Sequence, residues 1–76
     1  MPDARAHVLL QVDPGRAQEA ADWVAGIPAV TEAVTTSGAY DVIATVHGSS
    51  EDALRRAVGL ARRTPGLCAL RLCRGA

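Results

Sequence analysis

The sequence predicts an α+β domain in which two helices cover one face of a four-stranded antiparallel sheet. Apolar residues alternate with a period of two in four segments and recur with a helical period in two others. The order is strand, helix, strand, strand, helix, strand. The pattern also repeats, since His7–Val12 resembles Asp41–Val46 and Ile27–Val30 resembles Thr64–Leu67. Two βαβ halves of this kind form the ferredoxin-like βαββαβ fold.

The first strand is predicted over Ala6–Val12, with Val8 and alternate residues after it on one face. Asp13 is positioned to cap the helix that follows, and Pro14 suits the first helical position. Gly26 is expected to end this helix. The helix carries one apolar stripe, formed by Ala17, Ala20, Ala21, Val24 and Ile27.

Two strands, Val30–Thr36 and Tyr40–His47, follow with a tight Ser37–Ala39 turn between them. Gly38 at the tip permits a positive φ, which other residues resist. This turn leads directly into an aromatic ring and a carboxylate at the start of a strand, which makes it the best candidate in the chain for contact with a small ligand.

The second helix is predicted to begin with Ser49 and Asp52, whose spacing resembles a capping box. Arg62 and Arg63 are expected in its last turn, where cations are favourable. The fourth strand is predicted over Leu67–Cys73. The buried stripe of this helix is formed by Leu54, Ala57, Val58 and Ala61.

The composition indicates one folded domain over residues 1–76. Hydrophobic residues make up 49% of the chain and charged residues 21%, which argues against disorder. The net charge is zero, so there is no basic excess to attract nucleic acid. No apolar run approaches the ~20 residues of a membrane helix. Met1–Arg5 lacks the apolar core of a signal peptide, and the chain is therefore interpreted as cytoplasmic.

The sequence offers no recognisable catalytic or metal-binding motif, and no cofactor or metal is expected. Cys68 and Cys73 are five residues apart on one strand and are interpreted as small buried apolar residues. His7 and His47 are interpreted as ordinary histidines, because two histidines without further ligands do not make a zinc site. Trp23 lies off the apolar stripe, where it either packs on its own sheet or fills the edge of a subunit contact.

The face of the sheet that the helices leave uncovered is predicted to be mixed in character. The helix side should carry alternate residues of the central strands together with Cys68, Leu70 and Leu72. The open side should carry Leu9, Ile43, Leu67 and Ala69 among Gln11, Thr45, His47 and Arg71. Because such a face is too apolar for water, two sheets are expected to pack face to face in a twofold dimer. The alternative is a sheet that is open to solvent.

Four segments together resemble the effector-binding domain of the Lrp/AsnC family. They are Val8–Gly15, Ile27–Val30, Thr36–Ile43 and Thr64–Leu67. Each segment is short, but their order and spacing are fairly specific, and the resemblance extends over roughly residues 6–74.

The resemblance implies a dimeric α/β barrel, dimers that assemble into rings, and amino acids or similar effectors bound between dimers. Carried over to this chain, the ligand-binding positions are Gly38, Tyr40 and Asp41, with Ala39 contributing backbone only. Asp41 would accept a hydrogen bond from the ligand ammonium, and the backbone near Gly38 would receive its carboxylate. The alternative is a plain turn, in which Asp41 bonds local backbone and Tyr40 packs on a neighbour.

Family members usually carry an N-terminal helix-turn-helix, whereas this chain starts five residues before its first predicted strand. It is interpreted as a stand-alone sensing domain that does not contact DNA and modulates a full-length regulator. Two other functions stay open. One is a small dimeric α/β-barrel enzyme, such as a monooxygenase or isomerase, that uses His7, Thr45 and His47. The other is a pure hetero-oligomerisation module. The ACT domain, which shares the strand order, is the alternative family.

Overall fold

The computed structural model describes residues 4–74; Met1–Asp3, the start of the segment assessed above for a signal peptide, and residues 75–76 lie outside this range. The predicted element order is confirmed. The elements are β1 (Ala4–Val12), α1 (Ala17–Ala25), β2 (Val30–Thr35), β3 (Val42–Gly48), α2 (Glu51–Ala61) and β4 (Leu67–Arg74).

The four strands form one antiparallel sheet in the order β2-β3-β1-β4. α1 packs mainly on β2 and β3, whereas α2 packs on β3 and β1. This is the ferredoxin-like arrangement, with β2 and β4 at opposite edges of the sheet. Neither helix of the described residues has the length and apolar character to cross a membrane.

The core lies between the sheet and the helices, as the periodicity predicts. Leu10 and Leu54 are almost completely buried, and burial of a side chain of this size stabilises a fold by about 1.5–3 kcal/mol. The strands contribute Ala6, Val8, Leu10, Val12, Val42, Ala44 and Val46. The helices and the connection between α1 and β2 contribute Ala20, Ala21, Val24, Ile27, Leu54, Ala57, Val58 and Ala61.

A bulge in β4 makes part of the predicted face assignment wrong. The register shifts so that Gln11 faces Ala69 while Val12 faces Leu67, which leaves Cys68 as the extra residue. Leu67 therefore packs against the core, and Cys68 is exposed. Beyond the bulge the assignment holds, because Leu70 and Leu72 pair with Leu10 and Val8 on the helix side.

The start of α1 also differs from the prediction. Gly15 has a φ of +84°, a left-handed conformation that cannot continue a right-handed helix. Asp13 and Pro14 therefore belong to a turn, and the helix begins at Ala17 after Arg16, whose side chain makes no capping bond.

α2 is capped by Ser50 rather than by Ser49. The Ser50 hydroxyl accepts a hydrogen bond from the Ala53 backbone N–H at 3.1 Å, which satisfies one donor of the first turn. The helix ends at Ala61, so Arg62 and Arg63 follow its last turn instead of lying in it.

Candidate ligand-binding site

The segment between β2 and β3 is closed by its own backbone. The Thr36 N–H donates to the Asp41 carbonyl at 2.9 Å, and the Thr36 hydroxyl accepts from the Gly38 N–H at 3.2 Å. Gly38 does not use the positive φ that glycine permits, because among the described residues only Gly15 and Gly66 have one. A Cβ added at Gly38 would meet the Thr36 hydroxyl at 3.6 Å, an ordinary contact. The turn therefore has no steric need for glycine.

Asp41 connects this turn to the central strand. Its backbone N–H donates to the Leu10 carbonyl at 2.8 Å, and its side-chain Oδ2 accepts from the Val12 N–H at 2.8 Å. The pairing of β1 with β3 reaches only Leu10 opposite Val42, so Val12 lies beyond the paired region. The carboxylate thus replaces a strand carbonyl as the partner of that N–H, and this bond holds the side chain in place.

Several backbone donors of the turn remain unused. The N–H groups of Ser37, Ala39 and Tyr40 donate no hydrogen bond to any residue in the range 4–74. The Ala39 carbonyl accepts from the Gln11 amide at 3.4 Å. Ala39 is exposed and Tyr40 half-buried. The predicted free donors are therefore present, although the N–H of Gly38 itself is occupied.

A thiol lies beside the carboxylate of Asp13, and the prediction of two buried cysteines is wrong. Cys68 is exposed and Cys73 is half-buried, and both are free. The Cys68 thiol donates to Asp13 Oδ1 at 3.2 Å. That hydrogen bond, together with the negative charges of Asp13 and Asp41, raises the thiol pKa. Sequence reasoning missed this cluster because Asp13 and Cys68 meet only through the β4 bulge, which leaves no signal in the local pattern.

The two histidines lie on the open face of the sheet. His7 is paired with Thr45, and His47 is paired with Arg5. His7 is exposed and His47 half-buried. No group of three or more His, Cys, Asp or Glu side chains within residues 4–74 is arranged to hold a metal ion.

The open face carries apolar area between these polar groups. Leu9 and Ile43 face each other across the central strands and are half-buried. Val34, which pairs with Ile43 from the edge strand, is 44% exposed. A second sheet placed on this face would bury all three side chains.

Comparison with known proteins identifies the family. The model of the Lrp/AsnC ligand binding domain matches residues 5–71. No curated protein matches the chain. The hypothetical protein PHS023 from Pyrococcus horikoshii is 22% identical, with a TM-score of 0.87, and the match covers 96% of this chain and 89% of that one. TTHA0845 from Thermus thermophilus is 23% identical, also with a TM-score of 0.87, over 96% of this chain and 92% of that one.

A longer protein shares the same fold. The transcriptional regulator NMB0573 from Neisseria meningitidis, solved as a complex with L-Met, is 16% identical with a TM-score of 0.79. The match covers 96% of this chain and 49% of the regulator. The family is named for ligand binding, and this neighbour is named as a transcriptional regulator. Neither name refers to a catalytic activity. Because the family model matches residues 5–71, which is most of this chain, the chain belongs to the Lrp/AsnC ligand-binding domain family.

Proposed function

We propose that this chain is a cytoplasmic sensing domain that binds a small zwitterion, an amino acid or a close relative, at the Thr36–Asp41 turn. It acts through assembly and not through catalysis. Membership of a ligand-binding family supports this proposal. So does the L-Met complex of the Neisseria regulator, which shares the fold.

The observation that carries the proposal is the position of the Asp41 carboxylate beside unused backbone donors. Oδ2 is held by the Val12 N–H, while Oδ1 accepts no hydrogen bond from within residues 4–74. A ligand ammonium can donate to that oxygen in a charge-assisted bond, roughly twice as strong as a neutral one. The free N–H groups of Ser37, Ala39 and Tyr40 supply donors for the ligand carboxylate. The Tyr40 ring flanks the ligand side chain.

The proposed action depends on a second copy. The turn is an open surface on one chain, since Ser37, Gly38 and Ala39 are all exposed. In the proposal the open sheet faces pack into a twofold dimer, and a neighbouring dimer completes the binding site at the turn. A ligand shifts an equilibrium only by its differential affinity for the two states, so it favours the assembly that completes its site. The chain would then modulate a regulator with a related domain, without contacting DNA itself.

Thermal unfolding of the chain with each of the twenty amino acids at millimolar concentration tests the proposal. A ligand at 100 times its dissociation constant stabilises the folded state by about 2.7 kcal/mol, which is readily detected. At least one amino acid is expected to raise the unfolding temperature. Asp41→Asn should abolish that increase. Asp52→Asn, at an exposed carboxylate on α2, should preserve it. No increase with any amino acid would contradict the proposal.

A further inference from the structure

The zero net charge of this chain conceals a strong separation of charge. α1 and β2 contain Glu19, Asp22 and Glu32 and no basic residue. From α2 to the end of β4, six arginines stand against two acidic residues, a net charge of +4. α1 lies over β2 and β3, whereas β4 is the opposite edge of the sheet. The acidic and basic regions therefore lie towards opposite edges of the molecule.

The basic edge contains an apolar groove of about 240 Å³ between α2 and β4. Its floor consists of Leu54, Val58 and Leu72. Leu72 lies on the helix side of the sheet but is 39% exposed. Gly59 lines the groove without a side chain, and a Cβ added there would lie in open space, with nothing within 4 Å. The groove is thus open to an incoming side chain.

Arginines line the rim of this α2–β4 groove. Arg74 forms an ion pair with Glu51. Arg55 is 3.8 Å from Asp52, and both side chains are about four-fifths exposed, so this pair is weak. Arg62 has no carboxylate partner within residues 4–74. The rim therefore keeps an excess of positive charge beside an apolar floor.

α1 presents the complementary surface. Trp23, the one tryptophan of the chain, is 37% exposed. Glu19 lies one helical turn before it on the same side, and Asp22 is its neighbour. Glu19 is partly neutralised by Arg16 at 2.8 Å, whereas Asp22 is bonded only to the neutral Gln18 amide within the described residues. α1 thus carries an aromatic ring flanked by carboxylates.

We propose that the α2–β4 groove is a docking site for α1 of a second copy of this chain, with Trp23 on Leu72 and Asp22 facing Arg62. Aromatic residues and arginine are enriched at protein interfaces, and the charges of the two surfaces are opposite. The two surfaces differ, so the contact is heterologous and repeats into a ring or a chain. A nucleic acid fits less well, because a phosphate backbone offers no apolar group to cover Leu54, Val58 and Leu72. The contact is separate from the open sheet face and from the Thr36–Asp41 turn.

Tryptophan fluorescence of the whole chain, recorded across protein concentration beside light scattering, tests the proposal. Trp23 emission is expected to shift to shorter wavelength as the chain associates. A face-to-face dimer alone would not cause this shift, because α1 lies on the other side of the sheet. Added salt should weaken the association, because salt screens the attraction between the acidic and the basic surface. The screening length is about 10 Å at 0.1 M ionic strength and becomes shorter as salt is added.

Substitutions in the groove sharpen the test. Leu72→Asp and Arg62→Glu are each expected to weaken association about tenfold or more. Leu60→Asp is the matched control, because Leu60 is 41% exposed on α2 but lies outside the groove. Asp22→Arg mixed with Arg62→Glu should restore the association. Because Arg62 is exposed, Arg62→Glu is expected to keep the fold intact and still tests the groove should Leu72→Asp fail to fold.

Three outcomes would overturn the docking proposal. The first is an emission spectrum that does not change while the chain associates. The second is an equal effect of the Leu60 and Leu72 substitutions. The third is an Arg62→Glu variant that loses binding to a labelled DNA duplex but self-associates normally, which would assign the basic edge to nucleic acid. The amino-acid response should survive Arg62→Glu, so failure of the docking proposal and failure of the sensing proposal are distinguishable.

Discussion

Replacement of Asp41 by alanine is expected to destabilise the fold, because its carboxylate is the hydrogen-bond partner of the Val12 N–H at 2.8 Å. Val12 is only 6% exposed, so water cannot easily replace the lost acceptor. A hydrogen bond to a charged group contributes about 1.5–3 kcal/mol. Asp41 is itself half-buried, and solvent screening places the expected loss near the lower end, at about 1.5 kcal/mol. In a domain of this size the unfolding temperature would fall by roughly 6–12 °C.

Urea unfolding followed by circular dichroism measures this loss. Asp41→Asn retains an acceptor oxygen and should lose clearly less free energy of unfolding than Asp41→Ala. Glu32→Ala is the control, because that exposed carboxylate on β2 makes no ion pair or side-chain hydrogen bond within residues 4–74, and a change within about 0.5 kcal/mol is expected. If Asp41→Ala unfolds like the Glu32 control, or if asparagine costs as much as alanine, the bond to Val12 is not what Asp41 contributes.

This double role of Asp41 determines which variant can test ligand binding. Alanine removes both the ligand's acceptor and the support for the end of β1, so a lost response would be ambiguous. Asparagine keeps the support and removes the negative charge that would attract an ammonium group. A lost response in a variant of nearly normal stability would therefore report on the ligand alone.

Three further perturbations test the local structure, and a fourth tests the exposed thiol. Ser50→Ala should cost about 1 kcal/mol of unfolding free energy in urea, whereas Ser49→Ala should change it little, because only Ser50 accepts from the first turn of α2; equal losses would refute that cap. Gly66→Ala should destabilise the fold by about 1 kcal/mol or more, since Gly66 has a φ of +77° and a Cβ there would lie 3.0 Å from an arginine side chain. Gly38→Ala should stay within about 0.5 kcal/mol in the same assay, and a large loss would contradict the turn geometry. Cys68 should react with iodoacetamide only at higher pH than a free thiol does, because its hydrogen bond to a carboxylate and the charges nearby raise its pKa; a midpoint at or below the free-thiol value would refute this.

The sequence predicts the core well because burial imposes a period on each element. Val8 and Leu10 alternate with less buried residues on β1, and Leu54 and Val58 recur four residues apart on α2. All four are buried. A pattern that repeats within one segment needs no knowledge of its partner, so it can be read from the chain alone.

The errors occur where the geometry of a partner decides the outcome. The bulge at Cys68 arises from the register between β1 and β4, and one extra residue moves Leu67 into the core and Cys68 out of it. The start of α1 depends on the left-handed conformation of Gly15, which the favourable helix signals of Asp13 and Pro14 conceal. These errors have one physical origin. The spacing of apolar residues along the sequence carries no information about an inserted residue in a strand or about the sign of φ in a turn.

The Thr36–Asp41 turn shows the same contrast between a local sequence signal and a contact with a distant residue. Gly38 draws attention to the segment, yet its φ is ordinary and a Cβ would fit there. The distinctive feature is the Asp41 carboxylate, whose partner Val12 is 29 residues away in the sequence. Because Oδ2 is already held by that N–H, a ligand ammonium meets an oxygen whose position is fixed before binding, and little side-chain entropy remains to be lost. The ligand selectivity of this turn should therefore follow the residue at position 41 more closely than the residue at position 38.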